Sequence, residues 1–215
     1  HSLWAHCIWN SGKSLAKAIL NGAIDVKGKR VLELGSAVGL PGMCAALMGA
    51  KMVVASDYPE ESILRPLRRN YEANVGRMRG LDTPNWKVVG YRWGGAVDEL
   101  IEANDQEPFD IVFQTDLIFN HSEHRPLMES VRMVALNQTT PIETYVYFSH
   151  HRTWLIKEDL DQFKIAKEKG FSQVDLYTEK YPVMFEEDSK FDNDENDLEI
   201  RQTVYAIRLD YTPGV

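Results

Sequence analysis

Several short groups of residues carry side chains suited to chemistry. Glu33-Leu34-Gly35-Ser36-Ala37-Val38-Gly39 follows an apolar run and has small residues at 35, 37 and 39. Small side chains at that spacing let a backbone loop approach a ligand closely. A dinucleotide fingerprint would need glycine or alanine at position 40, which is Leu40, so a GxGxG pattern with Ala37 at its centre fits better. A merely tight turn is the alternative. Asp57 closes the next apolar run. An acid there can accept two hydroxyls of a ribose, or it can cap a following helix. Together the loop and Asp57 point to a nucleoside-type cofactor.

A second set lies further on. Asp116 ends another apolar run and is followed by Phe119, Asn120, His121 and His124, with His150 and His151 downstream. Histidines can bind a metal, accept a proton, line a pocket or serve as structural hydrogen-bonding groups. The i, i+3 spacing of His121 and His124 has no flanking constellation that defines a metal type. Pocket lining or structural bonding is the preferred reading, and no metal is expected.

These residues need elements to hold them. Apolar runs predict strands over 30–34, 51–56, 86–91, 109–114, 143–149, 173–177 and 204–209. Helical spacing predicts helices over 11–20, 42–48, 63–75, 96–103, 126–136 and 157–169, the last stopped by Gly170. Strand and helix alternate until the end, where two strands follow with only a polar segment between them. Alternation implies a parallel doubly wound sheet. The final pair joins directly only if antiparallel. The expected fold is therefore α/β and Rossmann-like. Its seven-stranded, mostly parallel sheet has the last strand antiparallel and helices on both faces. No repeat or composition break divides 1–215, so one domain is expected.

Composition excludes several classes. Hydrophobic residues make up 44% and charged residues 26%, so the chain is neither disordered nor low-complexity. A net charge of −8 disfavours a nucleic-acid backbone as partner but suits a basic one. The only cysteines, Cys7 and Cys44, form neither a CxxC nor a zinc-type spacing. The opening residues HSLWAHCIWN lack the pattern of a secretory signal. The apolar stretch 31–55 contains Glu33, Lys51 and Pro41, so no membrane span is expected. A cytoplasmic location is the resulting expectation.

The motif at 33–39 resembles the first motif of class I, seven-β-strand methyltransferases that use S-adenosylmethionine, and Ser56-Asp57-Tyr58-Pro59 resembles their acidic second element. Phe109-Asp110-Ile111-Val112 followed by Asp116-Leu117-Ile118-Phe119 resembles the protein lysine methyltransferase branch, whose hallmark is Asp-x-x-Tyr. Phe119 departs from that tyrosine. Segments 3–10, 116–124 and 148–152 are similar to the fungal methyltransferases that act on the N-terminus and adjacent lysine of translation elongation factor 1-alpha.

The resemblance implies roles. S-adenosylmethionine would be the cofactor and S-adenosylhomocysteine the product. Trp9, Gly35, Ser36, Ala37, Gly39, Asp57, Tyr58, Trp93 and Thr115 would bind the cofactor, with the segment 1–29 covering it. Aromatic rings suit an adenine or a sulfonium cation, with plain core packing as the alternative for each tryptophan and a mere strand end as that for Thr115. Asp116 would be catalytic, gripping the amine and stabilising charge that builds on its nitrogen, although it too could simply cap a helix. Phe119, Asn120, His121 and His150 would line the substrate side. The implied partner is a protein with a basic N-terminal segment, such as translation elongation factor 1-alpha, with no nucleic acid and no membrane.

Two other functions fit the same motifs: a small-molecule N-methyltransferase with a nicotinamide-like substrate, and a catalytically silent adaptor. The charge is also localised. The stretch 186–199 holds eight acids and one lysine, whereas elsewhere 24 acids face 23 bases. That stretch is read either as a solvated loop or as an attractor for a lysine-rich tail.

Overall fold

A computed structural model describes residues 6–76, 84–184 and 195–213. Seven strands form one sheet: β1 (Arg30–Leu34), β2 (Met52–Asp57), β3 (Trp86–Gly90), β4 (Ile111–Thr115), β5 (Ile142–Phe148), β6 (Ser172–Lys180) and β7 (Thr203–Tyr211). Their order across the sheet is β3-β2-β1-β4-β5-β7-β6. The pairs β1/β2, β2/β3, β1/β4 and β4/β5 are parallel, and β7 runs antiparallel to both β5 and β6. This is the expected fold, including the single reversed strand.

The central strands are mostly apolar because both of their faces are covered. On one face Val31, Val53, Ala55 and Phe113 pack with α1 (Asn10–Leu20), α2 (Leu40–Leu47) and α3 (Glu61–Tyr71), through residues such as Leu15, Ala45 and Leu67. On the other, Leu32, Val54 and Val112 pack with α4 (Asp98–Ala103) and α5 (His124–Leu136), through Leu100 and Val131. Alternate residues of one strand thus feed opposite cores, as the period of two requires.

Three details depart from the expected elements. The helix expected over 157–169 is broken at Leu160 into α6 (Ile156–Asp159) and α7 (Asp161–Glu168). β6 is longer than expected and, as an edge strand, is exposed along nearly its whole length, with a register shift at Asp175/Tyr177. The polar stretch 186–199 ends in a helix, α8 (Glu195–Arg201), and its residues 186–194 lie outside the described residues. Among the described residues no helix is long and apolar enough to cross a membrane.

Strand order reverses between β1 and β4, and the loops leaving their carboxyl ends diverge there. Such a switch point opens a crevice for ligands.

Candidate active site

The loop after β1 holds Gly35, Ala37 and Gly39 at φ +65°, +50° and +80°. A left-handed backbone is unstrained for glycine but costs an alanine roughly 1–2 kcal/mol. The cost at Ala37 is offset by its N–H, which donates to Asp57 Oδ2 at 2.7 Å. Asp57 Oδ1 accepts the Tyr58 N–H, also at 2.7 Å. Burial pushes the Asp57 pKa up, and these two bonds oppose the shift in part. Asp57 therefore ties the glycine loop to the end of β2. It does not cap α3, whose N-cap is Glu60.

Gly35 marks a close approach. A side chain there would place its Cβ 2.7 Å from Leu117 Cδ2 and 3.2 Å from the ring of Trp93. The loops after β1, β3 and β4 thus converge on one cavity of about 390 Å³. Trp9, Trp93, Gly35, Ala37, Asp57 and Tyr58 line it on one side. Thr115, Asp116, Phe119 and Asn120 complete the wall from β4. Trp9 and Trp93 are half-buried and line the cavity, and Trp93 also packs against the core.

Ser36 and Gly39, expected with the cofactor-binding loop, are not among the residues that line the cavity. Ser36 is buried, donating its N–H to Ser56 O at 3.0 Å and its hydroxyl to Glu33 O at 3.2 Å. Gly39 is the N-cap of α2, packed so closely that a Cβ would lie 2.7 Å from Leu67 and Tyr71. Both shape the loop from behind.

Asp116 is the most heavily bonded group of the site. It is buried and left-handed, at φ +50°. Its Oδ1 accepts the Ser149 N–H at 3.1 Å and stands 3.0 Å from His151 Nε2. Its Oδ2 accepts the hydroxyl of Ser11, from α1. Its own N–H donates to Tyr147 O at 2.8 Å. No helix begins there, so the capping role is absent. His151 also packs against Trp9, with ring centroids 5.1 Å apart.

His121 and His150, expected on the substrate side, are not among the residues that line the cavity. His121 Nε2 and His150 Nδ1 both stand 2.7 Å from Asp159, each on its own carboxylate oxygen. His124 is buried, with Nε2 2.6 Å from Ile118 O, and burial lowers its pKa. Among the described residues no group of three or more His, Cys, Asp and Glu side chains is placed to hold a metal ion.

Sequence reasoning missed Tyr91, Arg92, Leu117 and Glu123, which also line the cavity. Tyr91 donates to Gly95 O at 2.9 Å and lies 3.0 Å from Ser130 Oγ, which fixes the β3 loop. Glu123 is the N-cap of α5 without a side-chain capping bond. Their nearness to the expected Trp93 and Asn120 was the available signal.

A family model described as lysine methyltransferase matches residues 2–168. The chain belongs to the lysine methyltransferase family. It is accordingly an S-adenosylmethionine-dependent enzyme. This lysine methyltransferase is 40% identical over 212 residues to the protein N-terminal and lysine N-methyltransferase efm7 of Schizosaccharomyces pombe, covering 97% of this chain and 78% of that one. It is 35% identical to the counterpart of that name in Yarrowia lipolytica, covering 96% and 77%. Among solved structures, the magnesium protoporphyrin IX methyltransferase of Synechocystis with bound S-adenosylhomocysteine superposes with a TM-score of 0.56 at 12% identity, covering 94% and 82%. The YcgJ protein of Bacillus superposes with a TM-score of 0.62 at 12% identity, covering 94% and 99%. These likenesses show the shared fold.

The cavity suits the cofactor of the family. Its lining includes Gly35 and Ala37 of the left-handed loop, the acid Asp57 and two tryptophans, and aromatic rings favour contact with an adenine or a sulfonium.

Proposed function

We propose that this lysine methyltransferase transfers methyl groups to the N-terminal amine and an adjacent lysine of translation elongation factor 1-alpha, in the cytoplasm. The relatives, protein N-terminal and lysine N-methyltransferases, support an amine of a protein as acceptor. The choice of elongation factor rests on the resemblance of segments 3–10, 116–124 and 148–152.

In this reading Trp9, Gly35, Ala37, Asp57, Tyr58, Trp93 and Thr115 hold the cofactor. When bound, S-adenosylmethionine supplies an electrophilic methyl group on a sulfonium. The chain's own part is chiefly positioning, because a neutral amine needs alignment more than acid–base help. A terminal amine, with a pKa of roughly 7.7–8.0, reaches the neutral form more easily than lysine at about 10.4.

The observation that carries the reading is the bonding of Asp116. Among the described residues its Oδ2 accepts one hydrogen bond, from Ser11, while a carboxylate oxygen can accept two. In this reading the remaining lone pair accepts an amine N–H of the substrate. The carboxylate then orients the nitrogen and stabilises the charge that develops on it. Phe119 and Asn120 flank the same wall.

The test is methylation of intact elongation factor with mass mapping of its first residues. Wild-type protein should add methyl groups there. Asp116→Ala should lose at least 100-fold in rate while S-adenosylmethionine still raises its melting temperature. Near-normal turnover in that variant, or label found only on small molecules after incubation with cell extract, would reject the assignment.

A further inference from the structure

Asp159 is only 2% exposed and does not line the cavity. It ends the short helix α6, just before the break at Leu160. Its Oδ1 lies 2.7 Å from His121 Nε2 and its Oδ2 lies 2.7 Å from His150 Nδ1. A buried carboxylate bridging two imidazoles is a stiff joint, because bonds to an ionised acceptor are short and strong. Burial pushes the Asp159 pKa up, but the bonds from His150 and His121 outweigh it and hold the carboxyl below its ordinary value.

The joint connects the two segments that hold Asp116. His121 belongs to the loop that leaves β4, five residues after Asp116. His150 stands between Ser149 and His151, whose N–H and Nε2 reach Asp116 Oδ1 at 3.1 and 3.0 Å. Arg152 adds a second tie, donating to Phe119 O at 2.6 Å. His150 packs against both Phe148 and Tyr205, with ring centroids 5.3 and 5.2 Å away.

We propose that Asp159 is a positioning residue for methyl transfer, locking the β4 and β5 loops together through His121 and His150 and so fixing the carboxylate of Asp116. It touches neither cofactor nor substrate. It acts through the two donors on Asp116, one residue either side of His150. A displacement of about 1 Å at a reacting group can lower a rate on the order of 100-fold. The inference rests on the proposed role of Asp116, but it does not depend on which protein is the acceptor.

The experiment measures labelling of whichever extract protein the wild-type enzyme methylates, so a wrong acceptor is detected separately from a wrong role for Asp159. Asp159→Asn should lower kcat roughly 10-fold or more, with the KM for S-adenosylmethionine within about twofold of wild type. His150→Asn and His121→Gln keep an amide N–H near the lost imidazole nitrogen and should restore most of the rate. His150→Leu and His121→Leu should behave like Asp159→Asn. The Asp159→Asn loss should shrink in a His151→Gln background, because both act through Asp116. Wild-type kcat in Asp159→Asn would overturn the proposal. So would additive losses in the double variant, or equal damage in the amide and leucine variants. A parallel fall in kcat and cofactor affinity would show a general structural role and overturn it too.

Discussion

Ser11, on the buried face of α1, donates its hydroxyl to the carboxylate of Asp116, 105 residues away in the chain. The bond joins the segment that carries Trp9 to the loop that carries the proposed amine-binding acid. Ser11 is fully buried, so its hydroxyl has no water to turn to.

Replacing Ser11 by Ala removes one donor from a buried charge. Bonds to charged groups contribute roughly 1.5–3 kcal/mol. The variant is expected to unfold at lower denaturant by an amount in that range and to lose about 10-fold in kcat. Urea titration and steady-state rates check the two parts. Unchanged kcat would show that Asp116 is held well enough without α1.

Asp57→Ala should act on the cofactor and leave the amine site alone. It frees the Ala37 N–H and leaves a left-handed alanine without its compensating bond. The Kd for S-adenosylmethionine, measured by calorimetry, should rise at least 10-fold. The rate at saturating cofactor should change much less. A lost rate with unchanged Kd would contradict the proposed cofactor role.

Glu33 gives a pH prediction. It is completely buried beneath the glycine loop, and among the described residues neither carboxyl oxygen has a well-formed hydrogen bond. Burial raises its pKa from 4.5 to about 8, while the nearby Ser36 hydroxyl and Gly42 N–H lower it only in part. An acid whose pKa is raised by folding binds its proton more tightly in the folded state. Its contribution is intact below pH 4.5 and is lost as pH rises towards about 8. The melting temperature of wild type should therefore fall relative to that of Glu33→Gln across this window, and the gap should stay constant above it. A constant gap from pH 4.5 to 8 would refute the assignment.

The acidic stretch gives a salt prediction. Glu195, Asp197 and Glu199, the last acids of the stretch 186–199, fall in α8. If they draw a basic segment inward, the KM for a protein acceptor should rise with ionic strength while the KM for cofactor stays level. Changing Glu195 and Asp197 to Gln and Asn should flatten that salt dependence. Identical salt slopes in variant and wild type would dismiss the attraction. Glu199 is left in place because it pairs with Lys180 at 2.9 Å.

Much of this protein was legible in its sequence. Val31 to Leu34 and Met52 to Asp57 are short apolar runs, each ending at a loop, and burial of both faces requires such runs. Small residues at 35, 37 and 39 marked a loop that a ligand could approach, and Gly35 and Gly39 adopt their left-handed backbone without strain. These are local properties, carried by neighbouring residues. What only the tertiary structure decided depends on residues far apart in the chain. Ser36 and Gly39 sit in the same loop as Gly35, yet packing turns them to the rear. His121 and His150 are separated by 29 positions, and no periodicity reveals that both meet Asp159. The helical spacing over 157–169 also concealed the break at Leu160 that follows Asp159. Sequence patterns report which face of an element is apolar. Which polar groups satisfy one another depends on how the elements dock, because a buried carboxylate must find its donors wherever the fold brings them.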